Sequence, residues 1–298
     1  MQENGNFKDW LFRYQYVYKV RKNEKSKTRF IASLVTDIYE IREDIQVIEY
    51  GQVKNDRSRN LYVGDIEQAE RIICAHYDTP IKTLGSYVYF DKKKARNKTT
   101  AFILVSSILM LLLGIAATFM YGEYATNQFV LFSFSTLFIG LFYGIYFYFL
   151  SKIAKGMPER KNLIRNTSSV LALMEMLTEI QDKKTAFAFV DKGSYGNAGV
   201  DVLKATNKKH ANIYILDSIG SDAPLHLVGN DFTKRQAEKI GFDYEILDNL
   251  HYNYIFSGRT SEKNNKIEYY LDRSDLKQKE LNIENMKKVV AIFEEGML

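Results

Sequence analysis

The chain has 298 residues, with 41 Lys+Arg against 36 Asp+Glu, one cysteine, 17 glycines, three prolines and 14% aromatic residues. That length carries enough apolar material for a substantial core, and the composition excludes collagen-like, disulfide-scaffold and disordered chains. Cys74 has no partner for an internal disulfide, and the polar opening Met1-Gln2-Glu3-Asn4 predicts no cleavable signal peptide. In chain order, apolar residues at Phe30, Leu34, Ile38 and Ile41 have helical spacing and predict a helix within 28–44. Alternation over 45–50 and 60–63 predicts two strands across a polar turn. The apolar run 71–75, ending at His76, predicts a buried central strand.

Residues 101–120 (AFILVSSILMLLLGIAATFM) and 129–150 (FVLFSFSTLFIGLFYGIYFYFL) carry no charge. A hydrocarbon core of about 30 Å needs about 20 helical residues, and both runs meet that length. Soluble core helices of this length keep a polar face, and these do not. The expectation is a transmembrane hairpin over 99–150, turning at about 121–127. Tyr121, Tyr124, Tyr146 and Tyr148 lie toward the span ends, where aromatic belts form. Segments 91–98 and 151–165 each carry five bases and one acid, whereas the turn holds only Glu123. Basic flanks on both sides place both termini and the soluble part in the cytoplasm, at the cell membrane. The two flanks exceed the whole-chain charge of +5, so the basic surplus suits anionic lipid headgroups and not nucleic acid.

Beyond the hairpin, Val170, Leu173, Met174, Leu177 and Ile180 predict a helix over 168–180. Runs 186–190 and 212–216 predict buried strands, each followed by an aspartate, Asp191 and Asp217. Helices are expected at 231–240 and 283–295, and a strand at 266–271. Strands alternating with helices indicate an α/β domain with a mostly parallel central sheet flanked by helices. Segments 1–98 and 151–298 together form that domain, with the hairpin inserted between them.

Ligands of such sheets bind beyond the carboxyl ends of the strands, here marked by His76, Asp78, Asp191 and Asp217. His-x-Asp suits a metal ligand, because a ligating imidazole needs a carboxylate to orient it, although a structural histidine beside an aspartate gives the same tripeptide. His210, His226 and His251 read as solvated loop histidines. Ser194 has no nucleophile elbow and no assigned base. Gly193, Gly196 and Gly199 lack the Lys-Ser/Thr of a phosphate loop and read as turn residues.

The arrangement resembles the M28 family of zinc aminopeptidases. The match runs through Arg59-Asn60-Leu61-Tyr62-Val63, Ile72-Ile73-Cys74-Ala75-His76-Tyr77-Asp78-Thr79 and Tyr269-Tyr270-Leu271-Asp272-Arg273-Ser274-Asp275, with the hairpin as an insertion. The resemblance implies two zinc ions bridged by an aspartate, and a glutamate base. It makes His76 a zinc ligand, Asp78 its orienting partner and Asp217 a second ligand. The other positions depart from the family pattern. Arg165 falls where the bridging aspartate belongs, in Arg165-Asn166-Thr167-Ser168-Ser169. Asp191-Lys192-Gly193-Ser194 replaces the Asp-Gly-Glu-Glu turn, so the base position falls at Gly193 or Ser194. Leu271 takes the place of the last histidine.

A catalytic zinc needs about three protein ligands, and one position keeps two while the other keeps none. Arg165 is expected either to satisfy Asp217 or Asp78 or to reach toward lipid headgroups. The expected function is therefore a membrane-anchored pseudopeptidase. It would use no cofactor and would bind a peptide or a membrane-protein partner, in peptide processing or export. The first alternative is an active zinc peptidase with a rebuilt single-metal site of His76, Asp217 and an acid such as Asp191 or Asp272. The second is a structural subunit whose hairpin packs with other membrane helices through Gly114, Gly140, Ser106, Ser107, Ser133 and Ser135.

Overall fold

In a computed structural model of the chain, residues 5–51, 57–128, 130, 132–193, 196–247, 250–263 and 266–294 are described. Two compact units emerge: 1–80 with 86–92 and 159–298, and 81–85 with 93–158.

The first unit is the α/β part. Helix α1 (Gly5–Phe12) runs into a π-helical turn (Arg13–Val17), closed by the Tyr18 amide donating to the Arg13 carbonyl at 2.8 Å. Helix α2 (Glu24–Tyr39) starts where the Asn23 side chain accepts the Ser26 amide, satisfying a first-turn donor that the helix itself leaves unpaired. Strands β1 (Ile45–Tyr50), β2 (Ser58–Val63) and β3 (Arg71–His76) follow, then the short β4 (Tyr87–Val88).

Two helices form the second unit. α3 (Lys92–Gln128) and α4 (Phe134–Ala154) are both long and apolar enough to cross a membrane, and only 6% of each apolar window is buried. The expected turn at 121–127 is helical: α3 continues through it, and α4 starts at Phe134, where the Ser133 side chain accepts the Thr136 amide as its cap. Tyr146 packs on Gly114, where an added Cβ would lie 2.6 Å from its hydroxyl oxygen, and that hydroxyl donates to the Met110 carbonyl at 3.0 Å.

The α/β unit resumes with a second π-helical turn (Leu163–Thr167), which leads into α5 (Ser168–Glu179), β5 (Thr185–Val190), α6 (Ala198–Thr206) and β6 (Asn212–Asp217). The remainder is β7 (Leu225–Val228), α7 (Lys234–Ile240), β8 (Asp243–Glu245), β9 (Asn253–Ser257), β10 (Arg259–Lys263), β11 (Lys266–Leu271), α8 (Arg273–Leu276) and α9 (Ile283–Glu294).

Eight strands form one sheet in the order β1-β2-β5-β3-β6-β9-β7-β8, and β5, β3, β6 and β9 run parallel at its centre. Strands β10, β11 and β4 form a second, antiparallel sheet. Alternate residues of the central strands serve two cores. Ile73, Ala75, Phe187, Phe189, Tyr214 and Leu216 meet α1, α2, α5 and α9; Ile72, Cys74, Ala186, Ala188, Ile213 and Ile215 meet Val200 and Leu203 of α6. Burial on both faces explains why these strands are continuously apolar.

Three local expectations are corrected. Gly199 lies inside α6 and not in a turn. His226 is no surface loop residue: it is 2% exposed in β7, where its Nε2 pairs with the Gly258 carbonyl at 2.8 Å and its ring stacks on Phe256. His210 and His251 are exposed in loops. Helix α7 starts three residues later than expected, because Thr233 and Gln236 form a capping box there.

Candidate functional site

Register brings the candidate residues together. Ala75 pairs with Phe189 and Leu216 on the two flanking parallel strands, so His76 and Asp217 end adjacent strands at the same level, with Asp191 one residue beyond Val190. Adjacent strands lie about 4.8 Å apart, so the three groups share one edge of the sheet.

Each carboxylate on that edge is already engaged. The Asp191 side chain is fully buried, and Lys27, from the first turn of α2, donates to both of its oxygens at 2.6 and 2.8 Å. The Lys192 amide donates to the same carboxylate at 2.7 Å. Burial, and then the negative charge of Asp78, raise the Asp191 pKa against the pull of Lys27. Asp217 accepts from the Tyr87 hydroxyl at 3.1 Å and the Ser218 hydroxyl at 2.7 Å. Burial raises its pKa, while Arg165, Ser218, His76 and Tyr87 oppose that shift.

Arg165 sits in the second π-helical turn, with its guanidinium carbon 3.7 Å from the centre of the Tyr87 ring. It makes no direct hydrogen bond to Asp217. Tyr87 mediates instead, presenting its ring to the cation and its hydroxyl to the carboxylate. Burial works against the Arg165 charge, but Tyr87 and Asp217 outweigh it and raise its pKa.

No hydrogen bond between Asp78 and His76 is present among the described residues. The Asp78 Oδ1 accepts the Gly193 amide at 2.9 Å, and the Nδ1 of His76 is buried without a partner. Burial lowers the His76 pKa, against the pull of Asp78 and Asp217, and so favours the uncharged imidazole. The third cation is Arg21, fully buried, with Nη2 donating to Thr167 at 2.7 Å and its guanidinium carbon 4.5 Å from the Phe30 ring centre. Burial lowers its pKa to about 10, with Asp78 the first group acting against that shift.

The base position is closed by contact. A Cβ on Gly193 would lie 2.3 Å from the Cγ of His76, so no acidic side chain can project there without moving the imidazole. Ser194 lies outside the described residues. Leu271 is fully buried with Ile164, Phe256 and Tyr269, and pairs with Tyr87 across β11 and β4. Asp272, considered above as a substitute ligand, caps α8 by accepting the Ser274 and Asp275 amides.

Among the described residues no group of three or more His, Cys, Asp or Glu side chains is placed to hold a metal ion. Of the two carboxylates nearest His76 in register, Asp191 accepts from Lys27 and the Lys192 amide, and Asp217 accepts from the Tyr87 and Ser218 hydroxyls. Lys27 and Tyr87 are the residues that sequence reasoning missed. Lys27 carried no local signal, whereas the alternation Tyr87-Val88-Tyr89 was a readable strand.

No family model matches the sequence, and no curated protein matches it. Solved structures do resemble it. The LapA aminopeptidase of Legionella pneumophila aligns with 97% of this chain and 69% of its own, at 11% identity and a TM-score of 0.50. LapB of the same organism aligns with 98% and 72%, at 11% identity and a TM-score of 0.50. The glutaminyl cyclase of Porphyromonas gingivalis aligns with 98% and 96%, at 12% identity and a TM-score of 0.50. At these identities the likeness concerns the fold alone: the α/β part of the chain has a zinc-peptidase-like fold, shared with aminopeptidases and a glutaminyl cyclase.

Proposed function

We propose that the chain is a membrane-anchored pseudopeptidase, which retains the peptidase-like fold without its catalysis and binds a peptide or a partner subunit of a membrane complex. The observation that carries the reading is the pair of internal cations at the strand ends. Lys27 takes both oxygens of Asp191, and Arg165 faces Asp217 across Tyr87. A positive charge beside each carboxylate repels a divalent cation, and a buried, hydrogen-bonded carboxylate cannot act as a base without first losing its partner. General-base assistance alone contributes roughly 10²–10⁴-fold to such hydrolyses. His76 could accept a proton, but among the described residues its Nδ1 has no hydrogen-bond partner to orient it.

Anchoring rests on α3 and α4. Their apolar side chains, such as Leu109 and Phe119, are exposed, a surface that lipid covers and water does not favour. The basic flanks favour a cytoplasmic placement of both termini and the α/β part. Purified full-length protein, supplied with zinc and a panel of aminoacyl 4-nitroanilides, is expected to show no turnover above that of denatured protein. Turnover abolished by a chelator and restored by zinc would overturn the reading.

A further inference from the structure

A groove of about 1130 Å³ opens between the first π-helical turn and the exposed side of α2. It is distinct from the strand-end site, since it contains neither His76, Asp191 nor Asp217.

The lining has one sign of charge. Lys25 and Arg29 stand one turn apart on α2, Lys19 lines the groove from the loop after the turn, and among the described residues no acidic side chain lines it. Arg13 is the one base already neutralised, by Asp9 at 2.8 Å and Asp37 at 2.7 Å. Among the described residues, Lys19, Lys25 and Arg29 have no carboxylate within ion-pair distance. The positive end of the 16-residue α2 helix lies beside them.

Apolar contact is present as well. Tyr16 and Val17, in the π-helical turn, are 61% and 60% exposed, far more than their size requires in a packed domain. Small residues, Ala32 and Ser33, form part of the opposite wall. Widened π-helical turns recur at functional sites because they project side chains that a regular helix would keep in line.

We propose that this groove binds an acidic peptide segment, with its carboxylates on Lys19, Lys25 and Arg29 and its apolar side chains against Tyr16 and Val17. The inference rests on the reading of the chain as a binding protein and names the surface that binds. Charge complementarity carries the choice of partner: the cations that line the surface stand beside exposed Tyr16 and Val17, so a segment that alternates carboxylates with apolar side chains matches both.

The test uses the full chain in zwitterionic phosphatidylcholine nanodiscs and a fluorescein-labelled peptide of alternating glutamate and leucine, read by anisotropy. The expected result is binding that weakens with salt, that a lysine–leucine peptide does not show, and that Lys25→Glu/Arg29→Glu reduces roughly tenfold or more. Both substituted residues are exposed, and an unchanged thermal midpoint would confirm that the variant is folded. Absence of peptide binding, or binding that the double substitution leaves intact, would overturn the groove assignment. So would hydrogen-exchange protection of residues 13–36 in phosphatidylglycerol nanodiscs without any peptide effect, which would assign the surface to lipid. None of these outcomes bears on peptidase turnover, so failure here remains separable from failure of the pseudopeptidase reading.

Discussion

Lys27 and Asp191 form the clearest charge pair at the strand ends, with side chains 17% and 0% exposed. Removing one partner of a buried pair leaves an uncompensated charge, which costs about 3–5 kcal/mol. Lys27→Met is therefore expected to destabilise the chain by about that amount, and adding Asp191→Asn should recover most of the loss. Thermal midpoints of the single and double variants measure this; additive losses would contradict the pairing. Arg165→Ala should cost less, about 1–2 kcal/mol, because the guanidinium stacks on Tyr87 and reaches Asp217 only through it. Tyr87→Phe separates the two contributions, since it keeps the ring under Arg165 and removes the hydroxyl from Asp217.

At the scale of elements, α6 approaches the end of β5 closely. A Cβ on Gly199 would lie 2.3 Å from the Asp191 carbonyl oxygen, whereas one on Gly196 would meet nothing within 4 Å. Gly199→Ala should therefore cost about 1–3 kcal/mol, and Gly196→Ala less than about 0.5 kcal/mol, measured as the shift in unfolding midpoint. Strand β7 carries a pH dependence. Burial lowers the His226 pKa from its ordinary 6.5, against the Gly258 carbonyl, Asp243 and Glu245. The unfolded chain then binds more protons than the folded one just below that pH, so stability falls as the medium is acidified. His226→Gln should make that acid limb shallower, without removing it, because His76 shifts in the same direction.

The same elements show what the sequence could and could not convey. β3, β5 and β6 were legible because both faces of each are buried, which leaves uniformly apolar runs ended by His76, Asp191 and Asp217. β7 was not, since a histidine within Leu225-His226-Leu227-Val228 reads as polar until Gly258 and Phe256 are seen to satisfy it. The pairing of Lys27 with Asp191 spans 164 positions and that of Tyr87 with Asp217 spans 130. No local pattern encodes partners so distant. Arg165 was legible as a misplaced cation, but its stacking on a tyrosine was not.

At the scale of the whole molecule, the α/β unit carries its own cores and closes without residues 93–158. Joining residue 92 to residue 159 by a Gly/Ser linker should give a soluble, cooperatively unfolding protein; persistent aggregation would mean that the apolar helices complete the fold. In the intact chain, Glu123→Cys should react with an impermeant thiol reagent from outside the cell, and labelling only from inside would reverse the proposed orientation. The central claim is that cations of the chain stand where a metal site would need free carboxylates, and zinc content tests it most directly. Elemental analysis of the purified full-length protein, after dialysis against zinc and then buffer, should find far less than one zinc per chain in wild type and in His76→Ala alike. Near-equimolar zinc in wild type that His76→Ala removes would contradict the account.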